Sequence, residues 1–170
     1  MKDKKGFTLI ELAVVIVLVG AFLLVAIPKF NSITEVNIKS ASRRLSGTIM
    51  YLYSEAIFKK TVYKLAFDID RGKYWVQVLD GNEFKIPTDD PLLGIKRLPD
   101  GVYFKDIITQ RSNGKSIKGS GEFILFMPTG FVEPAVIHLE TEEGTDYTIA
   151  TKPYTGGTIV FDRYVDLFQK

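Results

Sequence analysis

Cysteine is missing from all 170 residues, which excludes a disulfide, a thiolate nucleophile and any Cys-based metal site. It says little about redox compartment, because an exported domain can rely on its core alone. Histidine occurs once, as His138 between Ile137 and Leu139 on an expected strand. Catalysis by histidine needs an orienting acid and a nucleophile in reach, so His138 is read as a strand residue facing solvent or a hydrogen-bonded site. No Gly-x-Ser-x-Gly, P-loop or His-based metal motif occurs. Neither an enzyme nor a cofactor is expected. An excess of one charge is missing too: the net charge is +2. Removing Lys2, Lys4, Lys5 and Asp3 takes 22 basic and 20 acidic residues to 19 and 19. A strongly basic footprint for nucleic acid is therefore absent.

One long apolar run is present. Residues 7–27 are 21 residues in which only Glu11 is charged and Thr8 mildly polar. As a helix they would span about 31 Å, matching a ~30 Å hydrocarbon core. A secretory signal has a shorter apolar stretch closed by a small-residue cleavage site. Here Pro28, Lys29 and Asn31 close the run instead. The basic leader should remain cytoplasmic and the rest face outward, so the plain expectation is a single anchor. Glu11 does not fit a plain anchor. A negative charge in the first helical turns gains ~0.3–1 kcal/mol from the helix dipole, against a cost of ~2.5–3.5 kcal/mol for an acid deep in the membrane. An intramembrane acid generally implies a partner.

Lys5-Gly6 followed by Phe7-Thr8-Leu9-Ile10-Glu11-Leu12 resembles the processing site of type IV pilins and pseudopilins. Pro28 falls where many pilins carry a helix-kinking proline. The resemblance implies that a prepilin peptidase cuts between Gly6 and Phe7 and N-methylates Phe7. It implies partners as well: the peptidase, membrane lipid before assembly, an inner-membrane assembly platform, and other subunits through the N-terminal helix. The cut would create an ammonium at Phe7, and Glu11, one turn along, would pair with that of a neighbouring subunit. Such pairing relieves two isolated charges in a low-dielectric setting.

Beyond Pro28 a helical rhythm continues. Ile33, Val36, Ala41, Leu45, Ile49, Leu52 and Ala56 recur at spacings of three to five, between Lys39, Arg43, Arg44 and Lys59. One helix over residues 7–59 is expected, bent or loosened at Pro28. Eight Tyr, twelve Phe and a Val/Ile-rich second half point to a β-rich remainder. TVYKLAFDI and KYWVQVLD flank Asp70-Arg71-Gly72 as a hairpin, and Glu83 to Ile86 reads as an extension of its sheet. VYFKDIIT, EFILFMPTG, AVIHLE, TDYTIAT and GTIVFDRYV read as further strands, with PTDDPLLG, LPDG and QRSNGKSIKGSG as loops. The fold class is α+β: a long N-terminal helix packed on an antiparallel sheet domain, the pilin-like arrangement. The segments are a leader (1–6), an apolar membrane and assembly helix (7–27), its amphipathic continuation (28–60) and a periplasmic β-rich domain (61–170).

SRRLSGTIMYLYSEAIFKK leading into TVYKLAFDI, and the later ILFMPTGFVEPAVIHLE and YTIATKPYTGGTIV, resemble the H-type minor pseudopilins and the FimT-like minor pilins. The resemblance implies a minor pseudopilin in the periplasmic pseudopilus of a type II secretion system. The alternatives are a FimT-like minor pilin in DNA uptake, or a major pilin. Two further charged groups stand out. Glu140, Glu142, Glu143 and Asp146 form an acidic turn that could attract calcium, but their spacing matches no defined calcium loop, so no metal is expected. Arg111, Lys115 and Lys118 could meet a nucleic-acid backbone. DNA-capturing FimT-like proteins carry a basic Gly-Arg-x-Arg-type motif near the C-terminus, where this chain has Thr155-Gly156-Gly157-Thr158 and a lone Arg163. Nucleic acid is therefore not expected as a partner.

Overall fold

The computed structural model describes residues 7–87, 90, 93–112, 115, 117 and 119–168, without the side chains of residues 24–33 and 120. The chain divides into two compact units, residues 1–33 and 34–170.

A single helix, α1 (Leu9–Lys59), contains the apolar run and its amphipathic continuation, and it continues through Pro28. In the first unit every described side chain from residue 7 to 23 is exposed, and Glu11 is the one charge among them. An apolar surface that long is not stable in water by itself and marks a site of association. Among the described residues no helix is long and apolar enough to cross a membrane.

In the second unit α1 buries Ile38, Ala41, Leu45, Ile49, Leu52 and Ala56. This is the expected stripe with one change among the described side chains, which do not include that of Ile33. Val36 is exposed and Ile38 takes its place, because two residues turn a helix by about 200°, so only one of the pair can face the core. The helix ends at Lys60, a non-glycine at φ 52. The Thr61 amide donates to the Ala56 carbonyl at 3.3 Å, the six-to-one bond of a Schellman ending.

Two antiparallel sheets follow. The first has the order β3-β2-β1-β6-β7, from β1 (Tyr63–Asp68), β2 (Lys73–Asp80), β3 (Glu83–Lys85), β6 (Ser120–Met127) and β7 (Phe131–Val132), with β4 (Lys96–Arg97) also on β2. The second has the order β10-β9-β8-β5, from β5 (Val102–Thr109), β8 (Ala135–Thr141), β9 (Asp146–Thr151) and β10 (Thr158–Phe161). The hairpin around Asp70-Arg71-Gly72 forms as expected, pairing Asp68 with Lys73. The short strands β4 and β7 fall between the stretches assigned from sequence, since two residues carry no periodicity to detect.

The helical stripe, Leu65, Phe67 and Phe126 of the first sheet, and Ile107, Ile137 and Ile149 of the second share one core. Phe104 meets Phe67 edge-on at 5.6 Å between ring centroids. The second sheet has a covered outer face as well: Ile108, Val136 and Ala150 pack against Phe168 of the C-terminal segment.

Candidate functional site

The start of α1 is a reciprocal cap. Thr8 precedes the first helical residue, and its Oγ1 accepts the Glu11 amide at 3.3 Å. Glu11 Oε2 in turn accepts the Thr8 amide and hydroxyl, each at 3.4 Å. This is a capping box: two amides with no partner inside the helix are satisfied by each other's side chains. It gives Glu11 a task within its own subunit that the reading of its charge alone did not include, and Thr8 is a site residue missed there. The Thr-x-x-Glu spacing was its signal. The second carboxylate oxygen, Oε1, has no partner among the described residues. Phe7, just before the cap, is 82% exposed. Gly6 lies outside the described residues, and of Pro28 only its place within α1 is described.

The carboxylates of the acidic turn between β8 and β9 are each engaged by a neighbouring side chain, two of them by the same lysine. Lys105 Nζ lies 3.2 Å from Glu140 and 2.9 Å from Asp146. Hydrogen bonding to Asp146, followed by that to Glu140, raises the Lys105 ammonium above its ordinary range. The Tyr103 hydroxyl donates to Glu142 at 2.6 Å. The Thr34 hydroxyl donates to Glu143 at 3.0 Å. The Glu143 carboxyl is held low, first by its own backbone amide. No group of three or more metal-ligating side chains occurs among the described residues. The turn is built as a hub of ion pairs and hydrogen bonds.

Arg111 is also tied inward. Its Nε donates to Glu133 at 2.6 Å and its Nη2 to Glu122 at 3.0 Å, with a further bond to the Phe123 carbonyl. The guanidinium lies 3.6 Å over the Phe123 ring. Glu122 also accepts the Thr109 hydroxyl, and Glu133 the Leu125 amide. Two buried carboxylates thus share one cation, and the positive charge is neutralised from within. Lys115 is exposed, and Lys118 lies outside the described residues. Of the three, Arg111 is committed to internal carboxylates.

His138 is completely buried, which decides between its two sequence readings. Its Nδ1 lies 2.6 Å from Asp106 Oδ1 and its Nε2 3.1 Å from the Val165 carbonyl. Tyr164 stacks on the ring at 3.9 Å. The Thr148 hydroxyl donates to the Arg163 carbonyl and accepts the Val165 amide. Residues 163–168 are therefore strapped across the outer face of the second sheet. An oriented His–Asp pair resembles part of a catalytic triad, yet here the strap covers it, and its second nitrogen meets a backbone carbonyl instead of a nucleophile.

The turn at Thr155-Gly156-Gly157 docks on the helix. A side chain at Gly156 would lie 2.1 Å from Tyr53 Cγ, and the Tyr53 hydroxyl donates to the Tyr154 carbonyl at 2.9 Å. The glycine permits this close approach.

Residues 1–27 match the prokaryotic N-terminal methylation motif. No curated protein sequence matches the chain. Among solved structures, the minor pseudopilin EpsH of the Vibrio cholerae type 2 secretion system is 13% identical, with a TM-score of 0.63 over 76% of this chain and 98% of that one. A second structure of EpsH is 12% identical with the same TM-score, over 76% and 96%. The Pseudomonas aeruginosa type IV minor pilin FimU is 13% identical, with a TM-score of 0.51 over 76% and 92%. At such identities the likeness is one of fold: a helix on antiparallel sheets.

Proposed function

We propose, for a chain with the pilin-like fold and a prepilin-type methylation motif, that it works as a minor pseudopilin in the periplasmic pseudopilus of a type II secretion system. The supporting observation is the conjunction of the two: the motif at residues 1–27 stands at the head of a helix whose domain shares its fold with nearly the whole of EpsH. In this reading a prepilin peptidase removes residues 1–6 and methylates Phe7. The apolar half of α1 holds the subunit in the inner membrane as a single span with the β domain in the periplasm, and then packs against other subunits. Assembly is the work, so the chain is not an enzyme and needs no nucleotide of its own.

Glu11 has two roles in this scheme. Oε2 closes the capping box, and Oε1 is left to take the Phe7 ammonium of a neighbour. One carboxylate then both starts its own helix and sets the register of the next subunit. The alternatives fare less well on this chain's residues. For a FimT-like DNA receptor, Arg111 is already neutralised and the Gly156 turn serves packing on Tyr53. A major pilin would need to outnumber the other fibre subunits, which cellular abundance measures.

Single cysteines placed along the exposed apolar half of α1 test the proposal cleanly, because the chain has none of its own. With a cysteine also placed on the helix of a neighbouring fibre subunit and an added thiol oxidant, disulfide cross-links are expected in the wild-type background. Glu11→Ala should insert in the membrane normally and lose most of these cross-links. Undiminished cross-linking in Glu11→Ala would overturn the pairing role.

A further inference from the structure

Arg44, Thr48 and Tyr51 are spaced four and three apart on one flank of α1, and so share a face. The two-residue strand β4 stands opposite. Its register on β2, Tyr74 to Lys96 and Lys73 to Arg97, brings two cations to the same place. Together with Tyr74 these residues line an open cavity of about 570 Å³, widened by the bare helix surface at Gly47. Three positive charges share one concavity. Among the described residues neither Arg44 nor Arg97 has an ion-pair partner, whereas Lys39, Lys59, Arg71, Lys85, Lys105 and Arg111 each have a carboxylate within reach.

We propose that this cavity is a docking pocket for an acidic peptide segment of a partner protein, its carboxylates pairing with Arg44, Lys96 and Arg97. The pocket stands on its own geometry. That its partner is a neighbouring fibre subunit rests on the proposed function.

Lys96 supplies the electrostatic motive. Its ammonium donates to the Thr48 hydroxyl at 3.4 Å. Burial, with help from Arg44, holds it below its ordinary range, and Asp90 offsets only part of this. A carboxylate entering the cavity would relieve both the desolvation and the repulsion. Asp90 is the acid at the rim, and it accepts the Tyr51 hydroxyl at 2.7 Å.

Carboxylates on a peptide fit better than a nucleic-acid backbone. Single-strand binders offer open aromatic faces along a basic track. Here Tyr74 is buried, Tyr51 is engaged by Asp90, and the cations converge on one cavity. The apolar sides of the tyrosines suit the side chains that flank an acid in a peptide.

The test is fluorescence anisotropy on the full chain in detergent micelles, with a labelled peptide of alternating glutamate and leucine. Its glutamine–leucine analogue, inorganic phosphate and a labelled oligothymidylate serve as comparisons. The acidic peptide should bind, the neutral analogue should not, and affinity should fall as salt rises. Arg44→Gln and Arg97→Gln remove exposed side chains that hold nothing in the fold. Each should weaken binding about three- to fivefold, at the strong end of an exposed pair, and Arg44→Lys should retain most of it. Equal binding by wild type and Arg44→Gln/Arg97→Gln would overturn the proposal. So would binding of phosphate or oligothymidylate in preference to the peptide. Loss of peptide binding with helix cross-links intact refutes the pocket alone, whereas lost cross-links with peptide binding intact refute the fibre reading alone.

Discussion

Replacing Gly156 by Ala tests how the last hairpin is held on the helix. Gly156 has φ 63, and a Cβ there would lie 2.1 Å from Tyr53 Cγ and 2.4 Å from Cδ1. Two separate penalties follow. A left-handed conformation costs an alanine about 1–2 kcal/mol. Forcing the ring aside in a packed contact costs about 1–3 kcal/mol more. The expected loss is therefore about 2–5 kcal/mol, large against the total stability of an ordinary domain. Tyr53→Ala separates the two. It removes the ring and its hydrogen bond to Tyr154, and in its background Gly156→Ala retains only the conformational penalty. The pair should thus be non-additive by about 1–3 kcal/mol in a double-mutant cycle. Urea unfolding of the full chain in detergent measures this, followed by fluorescence of Trp75, the single tryptophan. A Gly156→Ala protein as stable as wild type, or strict additivity with Tyr53→Ala, would refute the reasoning.

Two further outcomes are expected. Arg111→Gln leaves Glu122 and Glu133 buried without their cation and should lower stability by about 2–3 kcal/mol, below the figure for a fully buried pair because the guanidinium is partly exposed; Glu122→Gln in the same chain should recover part of the loss, and urea midpoints read both. Hydrogen bonding to Asp90, then burial, pushes the Tyr51 phenol up to about 12, while a phenol in the unfolded chain titrates near ~10. The folded state therefore holds a proton that the unfolded state gives up, so this stabilisation is complete below pH ~10 and is lost as pH rises through ~12. Burial raises Tyr63, Tyr74 and Tyr164 in the same sense, so alkaline melting should steepen in that window, and Tyr51→Phe should flatten it.

Much of the architecture was legible because it rests on local period. The helix expected over residues 7–59 is α1 (Leu9–Lys59), and the longer strands follow alternating runs. Val36 and Ile38 show the limit: both are apolar, and only the packed domain reveals which one faces inward. The C-terminal strap was misread: GTIVFDRYV reads as one strand, yet β10 ends at Phe161, and Tyr164 and Val165 leave it to cross the outer face of the second sheet. Their place is dictated by Asp106 and His138, whose pairing depends on the register of β5 against β8. Arg111 read as a loop cation because Glu122 and Glu133 lie 11 and 22 residues away. Thr8 was different. Its Thr-x-x-Glu spacing to Glu11 is a capping-box signature visible in the sequence.

The central claim is that residues 1–6 are a leader and Phe7 the mature N-terminus of a fibre subunit. Intact-mass and N-terminal analysis of the chain expressed with a prepilin peptidase tests it directly. The expected product begins at Phe7, carries one N-methyl group, and keeps the whole of α1. A chain that retains Met1 to Gly6 beside an active peptidase, or one cut after the apolar run to release a domain starting near Pro28, would contradict the account.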